Sequence, residues 1–505
     1  METNRGNLVV KTTQKLQTVL LEPDFLQKNG LKCVSIKLSE VLEREKRLDA
    51  SYFDIEGKRA RQAITDCPYP KMPLFGENGF SKEVFYPSRF KRVFVSKGIP
   101  IFTASQSLEL NPTPDKFISE KTQVDLKVLT LSYGQITITR SGSVGRCSIV
   151  TETLRNKIFS DDLIRIKCNN PNKTGYVYAF LKTKIGNKVL TTKNYGSVVT
   201  HIEPEHLTSI LIPDLPDNIT EKTHVNIMRA FELRDEANAL MRQAEELVYE
   251  QLGLPPLDAL KVQYLENVQN EVRTFSLRIS DWKHRFDGSF HIPIIDEIVR
   301  QLRKSPAELT ILGDKRVSEK IILPGRFKRV YVNEEYGVPF LSGGNILQFD
   351  PTQVKYLSKK HHSKRIDKEL TLHENMILVT CSGTIGNVVL APKHFENWTA
   401  NQHILRIVPS KETNAGYIYA FLANSYGKEL IKRFTYGSVV DEIDDRQLAS
   451  VEFPLPSRDI QDKIGNLVLE ANRKWSESYL LEKDPIAAVE NIIASGKSTN
   501  STPEK

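Results

Sequence analysis

The chain has 505 residues, 40% of them hydrophobic and 26% charged, and a formal net charge of +8. That length exceeds one ordinary core, so two or more domains are expected. No run approaches the roughly 18 apolar residues of a membrane span. The five cysteines (Cys33, Cys67, Cys147, Cys168, Cys381) are scattered without a CxxC pair, which argues against a disulfide framework or a structural zinc and suits a reducing, cytoplasmic setting. The mild basicity permits nucleic acid as a partner without requiring it.

In chain order, residues 1–34 read as a polar leader that lacks the apolar segment of a signal peptide. The rest of the chain is one module written twice. Arg47-Leu48-Asp49-Ala50-Ser51-Tyr52-Phe53 opens the first copy and Arg285-Phe286-Asp287-Gly288-Ser289-Phe290 the second, each followed by a helical composition. Arg89-Phe90-Lys91-Arg92 returns as Arg326-Phe327-Lys328-Arg329, and each cluster precedes a short apolar run of β character. The second copy gains residues at two places, the second of them in the basic stretch 359–365, and both read as surface loops. The doublet His361-His362 in that stretch is read as part of a solvated loop rather than as a metal site.

A strand, a glycine turn and a strand come next, with Ser141-Gly142-Ser143-Val144-Gly145 in the first copy and Ser382-Gly383-Thr384-Ile385-Gly386 in the second. The segments 175–181 and 416–422 read as amphipathic helices whose aromatic residues belong to the core. Tyr195-Gly196-Ser197-Val198-Val199 recurs 241 positions later as Tyr436-Gly437-Ser438-Val439-Val440. Each copy closes in a long helical pattern, one beginning near Asp217 or Thr220 and ending at Gly253, the other beginning near Asp459 and limited by Pro485. The apolar stripe of each is narrow, as for one helix lying against another.

Catalytic signatures are nearly absent: there is no GxSxG, no GxGxxG after a strand, no HExxH and no complete Walker A motif. Recognition is better supported than catalysis. Arg89, Lys91, Arg92, Arg326, Lys328 and Arg329 have the chemistry to bind phosphate, and arginine can also read guanine. The glycine turns offer backbone N–H groups and the hydroxyls of Ser141, Ser143, Ser382 and Thr384. Arg140 and Arg146 flank the first turn, Thr380 and Asn387 the second. Tyr195, Ser197, Tyr436 and Ser438 complete the candidate DNA-binding set. Two rival readings remain at this point, a protein-interaction scaffold and a nuclease or methyltransferase with an unrecognised site.

The duplicated order of these motifs resembles the specificity (S) subunits of Type I restriction–modification systems, over about residues 35–480. The resemblance implies an α+β fold with two tandem target-recognition domains (35–217 and 285–457), each reading half of a bipartite site in double-stranded DNA. Each domain is followed by a spacer helix (218–253 and 458–484), and the two helices pack antiparallel. A linker (254–284) and a tail (485–505) complete the division. The resemblance further implies a non-catalytic chain that carries no cofactor. Two modification subunits would bring S-adenosylmethionine chemistry, and restriction subunits would be added for cleavage.

Overall fold

A computed structural model describes residues 36, 38–43, 54–192, 201–208, 210–260, 276–282, 285, 287–352 and 354–496. The leader up to residue 34, Tyr195, Ser197 and the end of the tail from 497 lie outside the described residues, as do the opening 47–53 and most of the linker pattern. The fold is α+β. Each copy holds a four-stranded antiparallel sheet, Ser81–Phe85, Leu163–Cys168, Ile136–Thr139 and Cys147–Ile149 in spatial order in the first, and Ser318–Ile322, Ile404–Pro409, Ile377–Thr380 and Val388–Leu390 in the second. A second sheet, three-stranded in the first copy and four-stranded in the second, has the arginine clusters at its entrance, just before Phe94–Val95 in the first copy and Tyr331–Val332 in the second.

The two copies match down to single contacts. The helix Thr174–Lys182 crosses the first long helix where a β-carbon on Gly175 would lie 2.7 Å from Cα of His224, and Ala415–Ala423 crosses the second where one on Gly416 would lie 2.1 Å from the carbonyl oxygen of Gly465. Only glycine permits backbones this close. The Tyr176 and Tyr417 hydroxyls donate to the carbonyls of Pro213 and Pro454 at equivalent places. The aromatic residues of both short helices are buried, so they are core.

The first long helix spans Asp217–Leu252 and ends at Gly253, whose φ of 62° is left-handed. At about 1.5 Å per residue it is roughly 54 Å long. The second spans Arg458–Ser495 and runs straight through Pro485, beyond the limit that the sequence reading set at 484. A proline inside a helix costs about 3 kcal/mol. The turns beyond it bury Val489 and Ile493 in the core of the first copy, and two such side chains contribute about 1.5–3 kcal/mol each, enough to offset that cost. The helices are antiparallel: Ser478 Oγ donates to the Ala230 carbonyl at 2.6 Å, and Lys474 pairs with Glu236 at 2.7 Å. Each helix therefore starts on its own copy and ends on the other; the Tyr249 hydroxyl, near the end of the first, lies 2.7 Å from Ser425 Oγ of the second copy.

The copies also touch directly, through equivalent segments. Leu110 N–H donates to the Leu347 carbonyl at 2.9 Å, and Phe349 N–H donates to the Leu108 carbonyl at 3.0 Å. Leu108 and Leu110 of the first copy correspond to Leu347 and Phe349 of the second, so exchanging the copies exchanges the two bonds. That is the signature of a twofold axis at the Glu109–Gln348 bridge. The basic stretch expected to be a loop is instead a helix, Lys359–Arg365, started by Ser358, whose Oγ accepts from His361 N–H.

Candidate nucleic-acid interface

The glycine turns fold identically. Gly142 and Gly145 have φ of 70° and 80°, and Gly383 and Gly386 have 79° and 83°, which explains why glycine stands at all four positions. Thr139 and Thr380 tie the turns from inside. The Thr380 hydroxyl donates to the Thr384 carbonyl at 2.6 Å and accepts from Asn387 N–H at 3.0 Å, and Thr139 bonds the Ser143 carbonyl and Arg146 N–H in the same way. Thr380 is buried and fully used there, which removes it from the contact surface proposed for it.

Two further segments flank each turn. In the first copy Arg140 N–H donates to the Asp162 carbonyl at 3.2 Å, and Ile202 N–H donates to the Arg140 carbonyl at 3.1 Å. In the second, Cys381 N–H bonds His403 and Ile443 N–H bonds Cys381, at 2.9 and 3.0 Å. The turn, the loop 161–162 or 402–403, and the returning chain at His201 or Glu442 thus form one ledge, beside which the arginine cluster lies.

In the first copy this arrangement encloses a cleft of about 590 Å³ that brings together Arg89, Arg92, Ser141, Ser143 and Arg146 with Asp161, Asp162 and His201. The carboxylates engage the cations. Arg92 is paired with Asp161, and the Ser141 hydroxyl is bonded to Asp162. Arg140 does not reach solvent: it pairs with Glu203 and with Asp162, and its guanidinium lies 4.5 Å over the Tyr86 ring. It is a brace for the ledge and not a ligand contact. Arg146 is half-buried and donates to the Asp350 carbonyl of the second copy at 3.2 Å, so it also ties the copies together. Arg89 and Lys91 are exposed.

In the second copy Arg326 is 79% exposed and reaches Glu442 at 3.2 Å. Lys328 is exposed, and Arg329 donates to Gln402 Oε1 at 2.6 Å. Phe327 is the anchor that sets the cluster's direction. Its ring packs against Phe340 and His362, with the Arg365 guanidinium 4.8 Å from its centroid. Thr384, Tyr436 and Ser438 are exposed, Ser382 and Asn387 half-buried. The tip of this loop holds Val439, 93% exposed. His403 is held below the usual histidine range by burial and by the nearby Arg329 and Arg326 charges.

Sequence reasoning missed two groups. The first is the polar pair in the loop, Asp161-Asp162 and Gln402-His403. The second is a fully buried arginine in the strand after that loop, Arg165 and Arg406. Arg406 donates to the Ile404 carbonyl at 2.5 Å, to Asn401 at 3.1 Å and to Ala400; Arg165 donates to the Leu163 and Leu129 carbonyls at 3.1 Å. Burial lowers both arginines to about 10. A signal was present in the sequence: arginine interrupts an apolar strand in the same register twice, as Leu163-Ile164-Arg165-Ile166 and Ile404-Leu405-Arg406-Ile407.

Among the described residues no group of three or more His, Cys, Asp and Glu could hold a metal, and no helix is long and apolar enough to cross a membrane. Comparisons with known proteins bear on the second copy first. Residues 326–468 match the Type I restriction modification DNA specificity domain. The chain is 23% identical over 199 residues to the Type I restriction enzyme MjaIX specificity subunit of Methanocaldococcus jannaschii, a match spanning 37% of this chain and 44% of that protein. Among solved structures it is similar to a Type I restriction–modification S subunit from M. genitalium (12% identity, TM-score 0.30, covering 85% of this chain and 99% of that one). It is also similar to the HsdS subunit from Thermoanaerobacter tengcongensis (12% identity, TM-score 0.26, 84% and 98%). From Arg326 onward, therefore, the second copy is similar to the Type I restriction modification DNA specificity domain, and the curated relative that the chain matches over part of its length is a Type I specificity subunit.

Proposed function

We propose that the chain is the DNA-recognition subunit of a Type I restriction–modification complex. It reads a bipartite target with one half-site per copy and is itself non-catalytic. The observation that carries this is the duplicated ledge with its arginine cluster, placed twice about one twofold axis and matched in the second copy by a DNA specificity domain. Exposed Arg89, Lys91, Arg326 and Lys328 suit phosphates, which position a protein on duplex DNA without reading it. The exposed hydroxyls and N–H groups of the turns suit the same role. The two long helices fix the separation between half-sites, and their length is of the order of one to two turns of DNA at about 34 Å each.

On this reading two modification subunits dock on the scaffold and supply S-adenosylmethionine chemistry, with restriction subunits joining for cleavage, in the cytoplasm. The test is a selection from random duplex DNA with the chain and its co-purifying partners. A divided target with an unread gap of fixed length is expected. Replacing residues 286–456 by the equivalent part of another such protein should alter one half of that target only. Enrichment of no sequence by folded protein would refute recognition. Cleavage or methylation by the isolated chain would refute the non-catalytic assignment.

A further inference from the structure

The duplication allows the two ledges to be compared position by position, and this inference rests on the DNA-reading function proposed above. The halves of a bipartite target share a sugar–phosphate backbone and differ in their bases. Side chains that meet the backbone can stay the same in both copies, whereas side chains that meet bases must differ. Arg89 and Arg326, Arg92 and Arg329, Ser141 and Ser382, and the four turn glycines are the same residue types on the same backbone. The chemistry changes at Arg140 and Cys381, Arg146 and Asn387, and His201 and Glu442, and on the loop beside them two adjacent positions change together, where Asp161 and Asp162 correspond to Gln402 and His403.

The loop is built to hold these side chains still. Arg406 donates to the carbonyls of Ala400, Asn401 and Ile404, which bracket Gln402 and His403 on both sides. Arg165, at the same place, holds the Leu163 carbonyl next to Asp162. A guanidinium kept at 0% exposure on backbone carbonyls costs desolvation that a leucine would avoid, so a shaped loop is what it secures. From the cluster side Arg92 grips Asp161, and Arg329 grips Gln402 at 2.6 Å.

We propose that Gln402 and His403 read base edges in one half-site, that Asp162 reads them in the other with Asp161 held behind it by Arg92, and that Arg406 and Arg165 are positioning residues for the two loops. The chemistry offered differs in kind. Gln402 accepts from Arg329 through Oε1, so its amide Nε2 is left to donate, and that nitrogen lies 2.9 Å from Nε2 of His403. A histidine accepting there carries its proton on Nδ1. The second ledge therefore presents mainly N–H donors, which fit the O6 and N7 acceptors of guanine. The first presents carboxylate oxygens, with Asp162 32% exposed toward the cleft. These fit an amino group, cytosine N4 or adenine N6.

The experiment is the same selection from random DNA, run on the full chain with its partners. The variants are Gln402→Asp with His403→Asp, the milder Gln402→Glu, Asp162→Asn and Arg406→Met, with a thermal melt of each as the folding control. The substitutions at 402 and 403 should alter or erase base preference in one half-site, by tenfold or more at one position, and leave the other half and the gap unchanged. Asp162→Asn should do the same to the opposite half. Arg406→Met should relax the half that Gln402 reads and no other, which a general loss of stability would not do. Wild-type preferences in both halves of every folded variant, or equal weakening of both halves, overturns the inference and leaves the bipartite reader standing. A wild-type chain that selects no divided target overturns that reader and this inference with it.

Discussion

Glu482 sits where the two long helices and both copies meet, and removing its carboxylate tests what holds the scaffold rigid. The residue is 3% exposed. It pairs with Arg234, accepts from the Tyr178 hydroxyl at 2.7 Å and has Lys182 at 3.7 Å. Arg234 lies against the rings of Phe231 and Phe349, at 4.1 and 3.6 Å, and donates from Nε to Ser478 Oγ at 3.0 Å. Breaking a buried pair from one side costs about 3–5 kcal/mol, because a charge is left desolvated, and an orphaned hydroxyl adds about 1–3 kcal/mol. Asp350, which pairs with Lys182 at 2.6 Å and lies close by, offsets part of this, so about 4 kcal/mol is expected for Glu482→Ala. With a urea slope of about 3 kcal/mol/M the unfolding midpoint should fall by more than 1 M, read by the fluorescence of Trp475, buried on the same helix. Arg234→Met combined with Glu482→Leu should recover most of the loss, since both buried charges then disappear together. A single substitution within 1 kcal/mol of wild type, or a double variant as damaged as the sum of its parts, would refute the reasoning.

Gly416→Ala should destabilise the second copy by about 2–3 kcal/mol or more, because its β-carbon would lie 2.1 Å from the Gly465 carbonyl oxygen; an unchanged thermal midpoint would contradict the close crossing. His394 is stacked on Tyr479 at 4.3 Å, with Asp350, Lys483 and Arg234 also nearby, and burial lowers it to about 3. Between pH 6.5 and 3 the unfolded chain then binds the extra proton, so stability falls on acidification by about 1.4 kcal/mol per pH unit from this group. His394→Phe should flatten the loss of urea midpoint between pH 7 and 5, and an equally steep loss in the variant would remove His394 as its source. Arg326→Ala with Lys328→Ala should weaken DNA binding and reduce the salt slope by about 0.9 per lost phosphate contact; an unchanged slope would mark these residues as a solvated edge.

Repetition made the fold legible. The glycine turns, the short aromatic helices and the two long helices all appear twice at nearly constant spacing, and the left-handed φ of Gly142, Gly145, Gly383 and Gly386 shows why those letters recur. What stayed hidden depends on partners distant in the chain. Arg140 reads as a free cation beside a turn until Glu203, 63 residues on, is seen to neutralise it. Arg92 likewise awaits Asp161. Pro485 reads as a stop because local propensity is visible in sequence and the core of the first copy, which receives Val489 and Ile493, is not. The basic stretch 359–365 reads as a loop because its charge hides the Ser358 cap and the support that His362 Nε2 gives by accepting from Val330 N–H at 3.0 Å.

The twofold arrangement also bears on why the copies are joined by packed helices and not by a flexible tether. A tether would raise only the effective concentration of the second domain, and it would tolerate many half-site separations. Here the helices are pinned at both ends, by Gly175 against His224 and Gly416 against Gly465, and locked at the centre by Arg234, Glu482 and the exchanged bonds of 108–110 with 347–349. Adding one base pair to the gap would move the second half-site by about 3.4 Å and turn it by roughly 35°. Hydrogen bonds to base edges do not survive that displacement, since a contact stretched beyond about 3.5 Å is no longer one. On the proposed reading, rigidity makes the length of the unread gap part of the target. Loosening the central lock by Glu482→Ala should then widen the accepted gap lengths before it changes any preferred base.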